Sequence, residues 1–244
     1  MSAVKSSLRT LLIFELFAQR QCPLTLAQIA QALEMPKSSC LALLTTLGER
    51  GYLYRYGADG GYYPTRRWLH QANRVAEHDP IAHYVRASLE RLRDAFGETA
   101  LGAMLAGDQS TYLDVVESTE LVRFTARPGD VKPLDVSASG RALLGVLPPA
   151  DRAAVLDRLY AGAGRPRAAR RTLDKLIADE AARGWSANLG EYRPDVISVA
   201  AGLLVDGTAH ALVMAGPYPR VEARIERIGR QLAREAAELA RQLR

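Results

Sequence analysis

TLAQIAQALEMPKSSCLALLTTLGERGYL, residues 25–53, contains two short helical patterns separated by a break. Thr25 is a suitable N-cap for a first helix, in which Leu26, Ile29, Ala30 and Leu33 recur at helical spacing. Met35-Pro36 interrupts this pattern, and a second helix is predicted from residue 36 or 37 to about Arg50. We expect it to end at Gly51, because glycine readily adopts the left-handed conformation that closes a helix. Two short helices joined in this way predict a helix-turn-helix.

The second helix has a distinctive outward side. On a helical wheel, one side carries Cys40, Leu41, Leu44, Leu47 and Gly48, and we expect this side to pack inward. The other side carries mostly short, uncharged residues: Ser38, Ser39, Ala42, Thr45, Thr46 and Glu49. A solvated helix surface usually favours long side chains, so short ones indicate close approach to another surface, such as the major groove of DNA. An ordinary exposed helix is the alternative interpretation.

The flanking segments complete a known arrangement. Upstream, a helix is predicted from Ser6 to about Gln19, with an apolar stripe of Leu8, Leu11, Leu12, Phe14, Leu16 and Phe17. Downstream, YLYRY (52–56) and GYYPT (61–65) are β-prone stretches separated by GADG, which indicates a hairpin. Three helices followed by a hairpin predict a winged helix-turn-helix.

The composition narrows the class of protein. The 244 residues are 48% hydrophobic and 24% charged, and no apolar run approaches the ~20 residues that a membrane span needs. Glu15 interrupts the apolar N-terminal stretch, which argues against a signal peptide. Cys22 and Cys40 have neither the number nor the spacing of a disulfide framework, so we expect a cytoplasmic protein. The net charge of +5 lies mainly in residues 1–80, in agreement with a nucleic-acid partner for that part.

The rest of the chain predicts an α+β domain. A linker helix is expected to follow Arg66, with an interruption at Asp79-Pro80. ETALGAMLAG, QSTYLDVVES and LVRFTARPG (98–107, 109–118 and 121–129) alternate like strands, and DVISVAAGLLVDGTAHALVMAGP (195–217) predicts a β-hairpin. Helices are expected at SASGRALLGVL, PPADRAAVLDRLY, TLDKLIADEAARGW and residues 219–243, with a solvated loop at AGAGRPRAARR (161–171). The predicted domains are 1–66, 67–80 and 81–244.

Residues 25–53 resemble the DNA-binding half of the IclR (isocitrate lyase regulator) family, which has a helix-turn-helix of the form "eiA…lglpkst…LL.tLe..Gyl". The second half is similar to the same family in GETALGAMLAGDQSTYLDVVES, in SASGRALLGVLP, and in RGWSANLGEYRPDVISVAAGLLVDGTAHALVMAGP. The resemblance covers essentially residues 4–240. It implies a winged helix-turn-helix, a linker helix and a GAF-like effector-binding domain with a mixed or antiparallel sheet flanked by helices.

The DNA-contacting candidates follow from the helix pattern and the charges. Lys37, Ser38, Ser39 and Thr45 are expected at phosphates or base edges, and Ala42 at a thymine methyl group. The family commonly has an arginine at the position of Ala42 and a histidine or tyrosine at that of Leu41. The remaining candidates are Thr25 and three cations that either contact phosphates or are plain surface charge: Lys5, Arg9 and Arg55.

The effector-binding candidates come from the resemblance. In HALVMAG, alternation sends His210, Leu212 and Met214 to one face and small residues to the other. The small face permits either close helix packing or a ligand cavity. The resemblance favours a cavity and implicates Ser139, Gly140, Glu191, Asp195, Val199, Val213 and Ala215. Asp195-Val196 stands where the family usually has Gly-Val. Helix-start N–H groups near Arg123, Arg127 and Arg141 favour an organic acid.

No catalytic or metal-binding pattern is recognised. The four histidines form no HExxH or ligand cluster, SASGR differs from G-x-S-x-G, and no Walker loop or dinucleotide fingerprint occurs. We therefore predict a non-enzymatic regulator without cofactor or metal, whose partners are double-stranded DNA, a small-molecule effector and a second copy of the chain, as a homodimer or a dimer of dimers. The alternatives are an effector-independent architectural DNA binder and a small-molecule enzyme with a vestigial helix-turn-helix.

Overall fold

The computed structural model describes residues 4–57, 60–79, 82–161 and 167–243. The chain divides into two units, Met1–Asp79 and Pro80–Arg244. Of the segment predicted as a linker, residues 67–80, all but the last residue is grouped with the first unit.

The first unit has the predicted order of elements. Its helices and strands are α1 (Lys5–Arg20), α2 (Leu26–Ala32), α3 (Lys37–Glu49), β1 (Leu53–Tyr56), β2 (Gly61–Pro64) and α4 (Arg67–Ala76). The hairpin register pairs Leu53 with Pro64 and Tyr56 with Gly61. The tip of the predicted turn, residues 58–59, lies outside the described residues. The winged helix-turn-helix prediction is confirmed.

Local chemistry explains these boundaries. Thr25 caps α2 through a capping box in which its hydroxyl accepts from the Gln28 N–H and the Gln28 side chain accepts from the Thr25 N–H. Gly51 follows α3 with a φ of 73°, as expected for a glycine after a helix end. Leu24 forms a two-way backbone bridge to Tyr62, so the strand before α2 also joins the wing. The core of the unit is centred on Ile13, Ile29 and Leu44.

Helix α4 is held by its first turn. The Trp68 ring stacks on Phe14 with centroids 4.1 Å apart and meets the Tyr52 ring edge-on at 5.5 Å. No residue of α4 is buried, and Leu69 and Val75 are 58% and 74% exposed. The helix is thus amphipathic, with an apolar side that this unit leaves uncovered.

The second unit alternates helices with strands. In chain order it contains α5 (Ala82–Phe96), β3 (Thr99–Ala106), β4 (Gln109–Val116), β5 (Val131–Pro133), α6 (Ala138–Val146), α7 (Pro149–Ala161), α8 (Arg167–Arg183), β6 (Ser186–Leu189), β7 (Val196–Val205), β8 (Thr208–Pro217), α9 (Tyr218–Val221), a 3₁₀ turn (Glu222–Arg224) and α10 (Ile225–Gln242). Within the described residues, six of these strands form one antiparallel sheet in the order β5-β4-β3-β8-β7-β6.

The sheet is covered on both faces. Helices α5 and α10 pack on one face together with Leu212 and Met214 of β8, and α6 covers the other face above Val213 and Ala215. This division confirms the predicted alternation along β8. Asp206 and Gly207 both have positive φ at the β7–β8 turn, as an Asp-Gly hairpin requires. The closing helix, α10, covers the sheet with Ile228, Leu232 and Leu239.

Two expectations about the second unit are wrong, and one of its strands was not expected. LVRFTARPG forms no strand, and Leu121 and Val122 are 93% and 67% exposed. The third strand at that edge is instead β5, beyond a turn closed by Gly129, and no sequence pattern predicted the short strand β6. Helix α8 already begins at Arg167, five residues earlier than predicted, so the predicted loop is wrong there. Residues 162–166 of that loop lie outside the described residues.

A buried ion pair joins α6 to α8 and β6. Arg141 donates from Nε to the Glu180 carboxylate at 2.9 Å, and their side chains are only 3% and 4% exposed. Glu180 also accepts from the Ala187 N–H, and Arg141 donates to the Ala187 carbonyl oxygen. Nearby, Trp185 is buried under the Arg183 guanidinium, which lies 3.8 Å from the ring centroid.

Across the described ranges, no helix is both long and apolar enough for a membrane span.

Candidate DNA-binding surface and effector pocket

The outward side of α3 matches the prediction, but two positions predicted to face inward do not. Ser38, Ala42 and Thr45 are exposed, Ser39 is half-buried, and Cys40, Leu44 and Leu47 pack inward. Leu41 and Gly48 were predicted to face inward, but Leu41 is 41% exposed and Gly48 is exposed as well. The prediction is wrong because α3 rests on a narrow stripe through residues 40, 44 and 47, which leaves position 41 beside Ala42 and Thr45.

Two predicted phosphate contacts lie next to this helix. Lys5, Ser6 and Arg9 of α1 share a shallow depression with Ser39 and Ala42 of α3. A cationic patch therefore borders the short, polar side of α3. Lys37 is exposed at the N-terminus of α3, where the helix dipole also favours an anion.

Two hydroxyls near the predicted interface are already engaged. Thr25, a predicted DNA contact, uses its Oγ1 in the α2 capping box and is only half-exposed. Thr46 donates to the Ala42 carbonyl oxygen at 2.9 Å. These hydroxyls stabilise the backbone of the motif. Each of them can contact DNA only through a hydrogen or lone pair that those bonds do not already use.

The wing carries one predicted cation. Arg55 is exposed, yet its Nη2 donates to the Tyr62 hydroxyl at 2.9 Å, and its guanidinium lies 5.0 Å from the Tyr62 ring centroid. The other guanidinium N–H groups are available to a phosphate. Tyr54 and Tyr56, its neighbours in β1, are also exposed and were not predicted as contacts.

A cavity of about 180 Å³ opens on the α6 face of the sheet. Aromatic, hydroxyl and cationic side chains from several elements enclose it: Tyr112, Phe124, Thr125, Lys132, Ser137, Asn188, Tyr192, Arg193, Val196, Ser198 and Ala215. All of them belong to the second unit. Strands β4, β7 and β8 each supply one wall, so the cavity forms only when the sheet has assembled in this strand order.

Positive charge and aromatic rings meet at this cavity. The Lys132 ammonium lies 5.3 Å from the Tyr112 ring centroid and 6.0 Å from that of Tyr192, and the Arg193 guanidinium lies 5.7 Å from the Tyr192 ring. The two cations are attracted to the faces of the rings, and the rings provide apolar surface. The cavity can therefore accept a ligand with both an apolar body and a negative group.

A chain of hydroxyls lies beneath the cavity. Ser110 donates to Ser139 at 2.9 Å, and Ser137 caps α6 by accepting from the Gly140 N–H while it donates to the Pro133 carbonyl oxygen. Burial, with a smaller contribution from Asp130, raises the pKa of the adjacent Tyr112 hydroxyl well above its ordinary value. The Tyr112 hydroxyl is therefore a neutral donor or acceptor at physiological pH.

Backbone anchors place two other walls. Thr99 donates from its hydroxyl to the Phe124 carbonyl oxygen at 2.6 Å and thereby holds the irregular segment that carries Phe124. Asn188 donates to the Val136 carbonyl oxygen and accepts from the Gly190 N–H, which links β6 to the segment before α6.

The predicted effector residues differ in where they lie: some line the cavity, some are buried below it, and others lie away from it. Ala215 lines the cavity, Val213 is fully buried beneath α6, and Ser139 belongs to the hydroxyl chain below. Glu191 accepts from the Leu189 N–H, and Asp195 is exposed with its carbonyl oxygen bonded to the Tyr218 N–H, so neither lines the cavity.

Two assignments need structural correction. Val199 pairs with Met214, and its side chain therefore packs on the α5/α10 face, opposite the cavity. Its neighbours Val196 and Ser198 take that place. Gly140 is in the α6 first turn where a Cβ atom would lie 2.5 Å from the Leu134 carbonyl oxygen, so its evident role is close backbone packing.

The predicted anion-binding arginines do not line the cavity either. Arg141 is buried in the ion pair with Glu180, and Arg123 pairs with Glu117 at 3.2 Å. The cations at the cavity are instead Lys132 and Arg193, which sequence reasoning did not select. Both adjoin aromatic residues that converge only after the sheet forms. Among the described residues, no group of His, Cys, Asp or Glu has the arrangement of a metal site.

A winged helix-turn-helix joined to a ligand-cavity domain defines an effector-responsive transcription regulator. The family model for the IclR helix-turn-helix domain matches residues 6–57, and that for the C-terminal domain of bacterial IclR transcriptional regulators matches residues 73–242. The chain belongs to the IclR family of transcription regulators, with an N-terminal DNA-binding domain and a C-terminal effector-binding domain.

Individual relatives agree with this assignment. The chain is 35% identical over 147 residues to the "Probable transcriptional regulator SauR" of Cupriavidus necator, a match that covers 60% of this chain and 58% of that protein. An IclR-family regulator from Brucella abortus superposes with a TM-score of 0.80 at 23% identity, covering 100% of this chain and 94% of the other. An IclR homologue from Microbacterium hydrocarbonoxydans, complexed with 4-hydroxybenzoate, gives a TM-score of 0.75 at 22% identity over 97% and 99% of the chains.

Proposed function

We propose that this regulator binds operator DNA through the outward side of α3 and releases or tightens it when a small carboxylic acid occupies the cavity beside Lys132. The observation that carries the proposal is the pairing of two surfaces in one chain. The first is the short-residue side of α3 next to Lys5 and Arg9, and the second is the cationic, aromatic cavity. The DNA contacts assigned to Ser38, Ser39, Ala42, Thr45 and Arg55 follow from this docking.

The size of the cavity limits the effector. An apolar cavity of roughly 150 Å³ holds one benzene ring, so about 180 Å³ suits a single ring or a short aliphatic acid. Tyr112 and Phe124 provide faces for such a body, while Lys132 and Arg193 provide charge for one carboxylate. The 4-hydroxybenzoate held by the Microbacterium relative belongs to the same chemical class.

Exposed apolar side chains of the first unit favour a homodimer. Leu8 and Leu11 of α1 are 47% and 53% exposed, and Leu69 and Val75 add an uncovered apolar side on α4. A helix-turn-helix monomer reads too few base pairs for tight binding, whereas a two-fold dimer reads two half-sites. Light scattering of the purified chain is expected to give a mass of at least two copies. A Leu69→Glu/Val75→Glu variant should shift it towards the monomer.

The proposal is tested with DNA from upstream of the protein's own coding sequence. Fluorescence anisotropy is measured with and without benzoate, 4-hydroxybenzoate or butyrate. We expect binding at low salt that changes by about 5- to 150-fold with an acid that fits. Lys132→Met should weaken the acid response at least tenfold, because charged hydrogen bonds contribute about 1.5–3 kcal/mol.

Lys175→Met is the matched control, because Lys175 is an exposed lysine on α8 of the same unit. It should leave both DNA binding and the acid response unchanged. DNA binding that ignores all acids would support an effector-independent DNA binder. A chain that shows no DNA binding yet turns over one of the acids would support the enzyme alternative.

A further inference from the structure

One side of α3 is more apolar than the sequence predicted. Ser38, Leu41, Ala42, Thr45 and Glu49 fall within about 100° of one another on the helical wheel, and all are exposed. Leu41 lies at one edge of this arc and is 41% exposed. Thr45 lies between Leu41 and Ala42 on the wheel, so the three residues form a small, largely apolar patch, which we call the reading patch (Leu41, Ala42 and Thr45).

The chemistry of the reading patch restricts which bases it can distinguish. Guanine is usually read by bidentate arginine or lysine, and adenine by bidentate asparagine or glutamine. None of these side chains occurs among residues 38, 41, 42, 45 and 49. The major-groove feature that fits apolar side chains is the C5-methyl group of thymine. Of the five residues, Glu49 alone is charged, and it stands at the far end of the helix.

The surrounding residues support this assignment. The Thr46 hydroxyl is bonded to the Ala42 carbonyl oxygen, so it competes little for base edges on this side. The cations Lys5 and Arg9 belong to α1 and lie along its border with α3, and we assign them to phosphates. Electrostatic attachment and base reading are therefore divided between different side chains.

We propose that the reading patch recognises thymine methyl groups in the major groove, so that each operator half-site contains thymines at the positions facing Leu41 and Thr45. This inference rests on the proposed docking of α3 on DNA. It adds that sequence preference comes mainly from methyl contacts, with few direct hydrogen bonds to base edges.

The experiment removes only the methyl groups. The full chain selects duplexes from a random-sequence library, and the selected pool is amplified with either dTTP or dUTP. Uracil pairs like thymine and lacks the C5 methyl. Burying one methyl-sized group changes binding by about fourfold, so the uracil pool should bind about fourfold more weakly for each methyl covered and more than tenfold for two.

Two variants locate the effect on α3. Leu41→Ala/Thr45→Ser removes apolar contact from exposed positions while it keeps the Thr45 hydroxyl, and thermal melting should show an unchanged fold. This double variant is expected to bind the thymine pool more weakly and to lose most of the uracil penalty. Arg9→Ala is the control: it should weaken both pools by the same factor and retain the penalty.

The outcomes separate this inference from the proposed function. Equal affinity of the wild-type chain for the thymine and uracil pools would overturn methyl reading while DNA binding stands. A full uracil penalty in the double variant would assign the reading to residues outside the patch and also overturn the inference. If no duplex is enriched at low salt, the proposed function fails and the inference fails with it.

Discussion

Replacing Gly140 by alanine tests whether α6 is held in place by backbone packing at its first turn. The new Cβ atom would lie 2.5 Å from the Leu134 carbonyl oxygen and 2.7 Å from the Leu134 carbonyl carbon, and nearer still to its Cα. Real carbon contacts lie near 3.5–4.0 Å, so the start of α6 and the turn after β5 must separate by about 1 Å. Overpacking of this kind costs about 1–3 kcal/mol, and the contacts here are with backbone that cannot rotate away.

The matched control is Gly145→Ala on the same helix. Its Cβ atom would meet the Ala181 side chain at 3.4 Å, which is an ordinary contact, and alanine favours a helix over glycine by about 0.5–1 kcal/mol. Differential scanning calorimetry should show Gly140→Ala lowering the transition of the second unit by about 3–10 °C. Gly145→Ala should leave it unchanged or raise it. Benzoate binding should fall in Gly140→Ala alone, because Ser137 and Ser139 move with the helix start. Equal melting temperatures for the two variants would refute the packing argument.

Three further predictions concern charge and pH. Glu180→Gln leaves Arg141 buried without its counter-charge and should lower the free energy of unfolding by about 3–5 kcal/mol in urea titrations, whereas Arg141→Met/Glu180→Leu should recover part of the loss. Arg9→Ala should reduce the slope of log affinity against log salt by about one on every duplex; an unchanged slope would remove Arg9 from the phosphate contacts. The raised pKa of Tyr112 means that the unfolded chain loses this proton first, so stability should fall as pH rises above about 10. Tyr112→Phe should flatten that fall above about pH 10, and an identical fall in both proteins would contradict the assignment.

Local sequence signals were sufficient for much of the architecture. Thr25 before α2 acts through a hydrogen bond of its own side chain, and Gly51 after α3 and Asp206-Gly207 between β7 and β8 act through their own backbone conformation. The sequence alone therefore predicts where these elements begin and end. The alternation along β8 likewise predicts its two faces, because side-chain direction in a strand has a fixed period. The family resemblance then ordered these elements into two domains.

The misplaced residues depend on contacts that are distant in the chain. Val199 was assigned to the wrong face because only its pairing with Met214 fixes its direction relative to the cavity. Arg141 appeared available to an anion, but Glu180, 39 positions later, neutralises it. Leu41 is predicted to be buried because a helical wheel shows which side of a helix is apolar. The wheel does not show how much of that side the neighbouring helices cover.

The cavity itself was the least predictable feature. Tyr112, Lys132 and Tyr192 belong to separate segments whose meeting requires the strand order of the whole sheet. No local pattern distinguishes Lys132 from other lysines. A structure was needed to identify it, because a cation between two rings is a property of tertiary packing.

The two tryptophans lie in different units and in contrasting surroundings. Trp68 is 42% exposed and stacked on Phe14, whereas Trp185 is 5% exposed beneath Arg183. The chain therefore contains one intrinsic fluorophore for each half, with a red-shifted emission expected from the first and a blue-shifted emission from the second. Iodide should quench the exposed Trp68 and spare the buried Trp185, so the environment of the first unit can be followed separately, without an added dye.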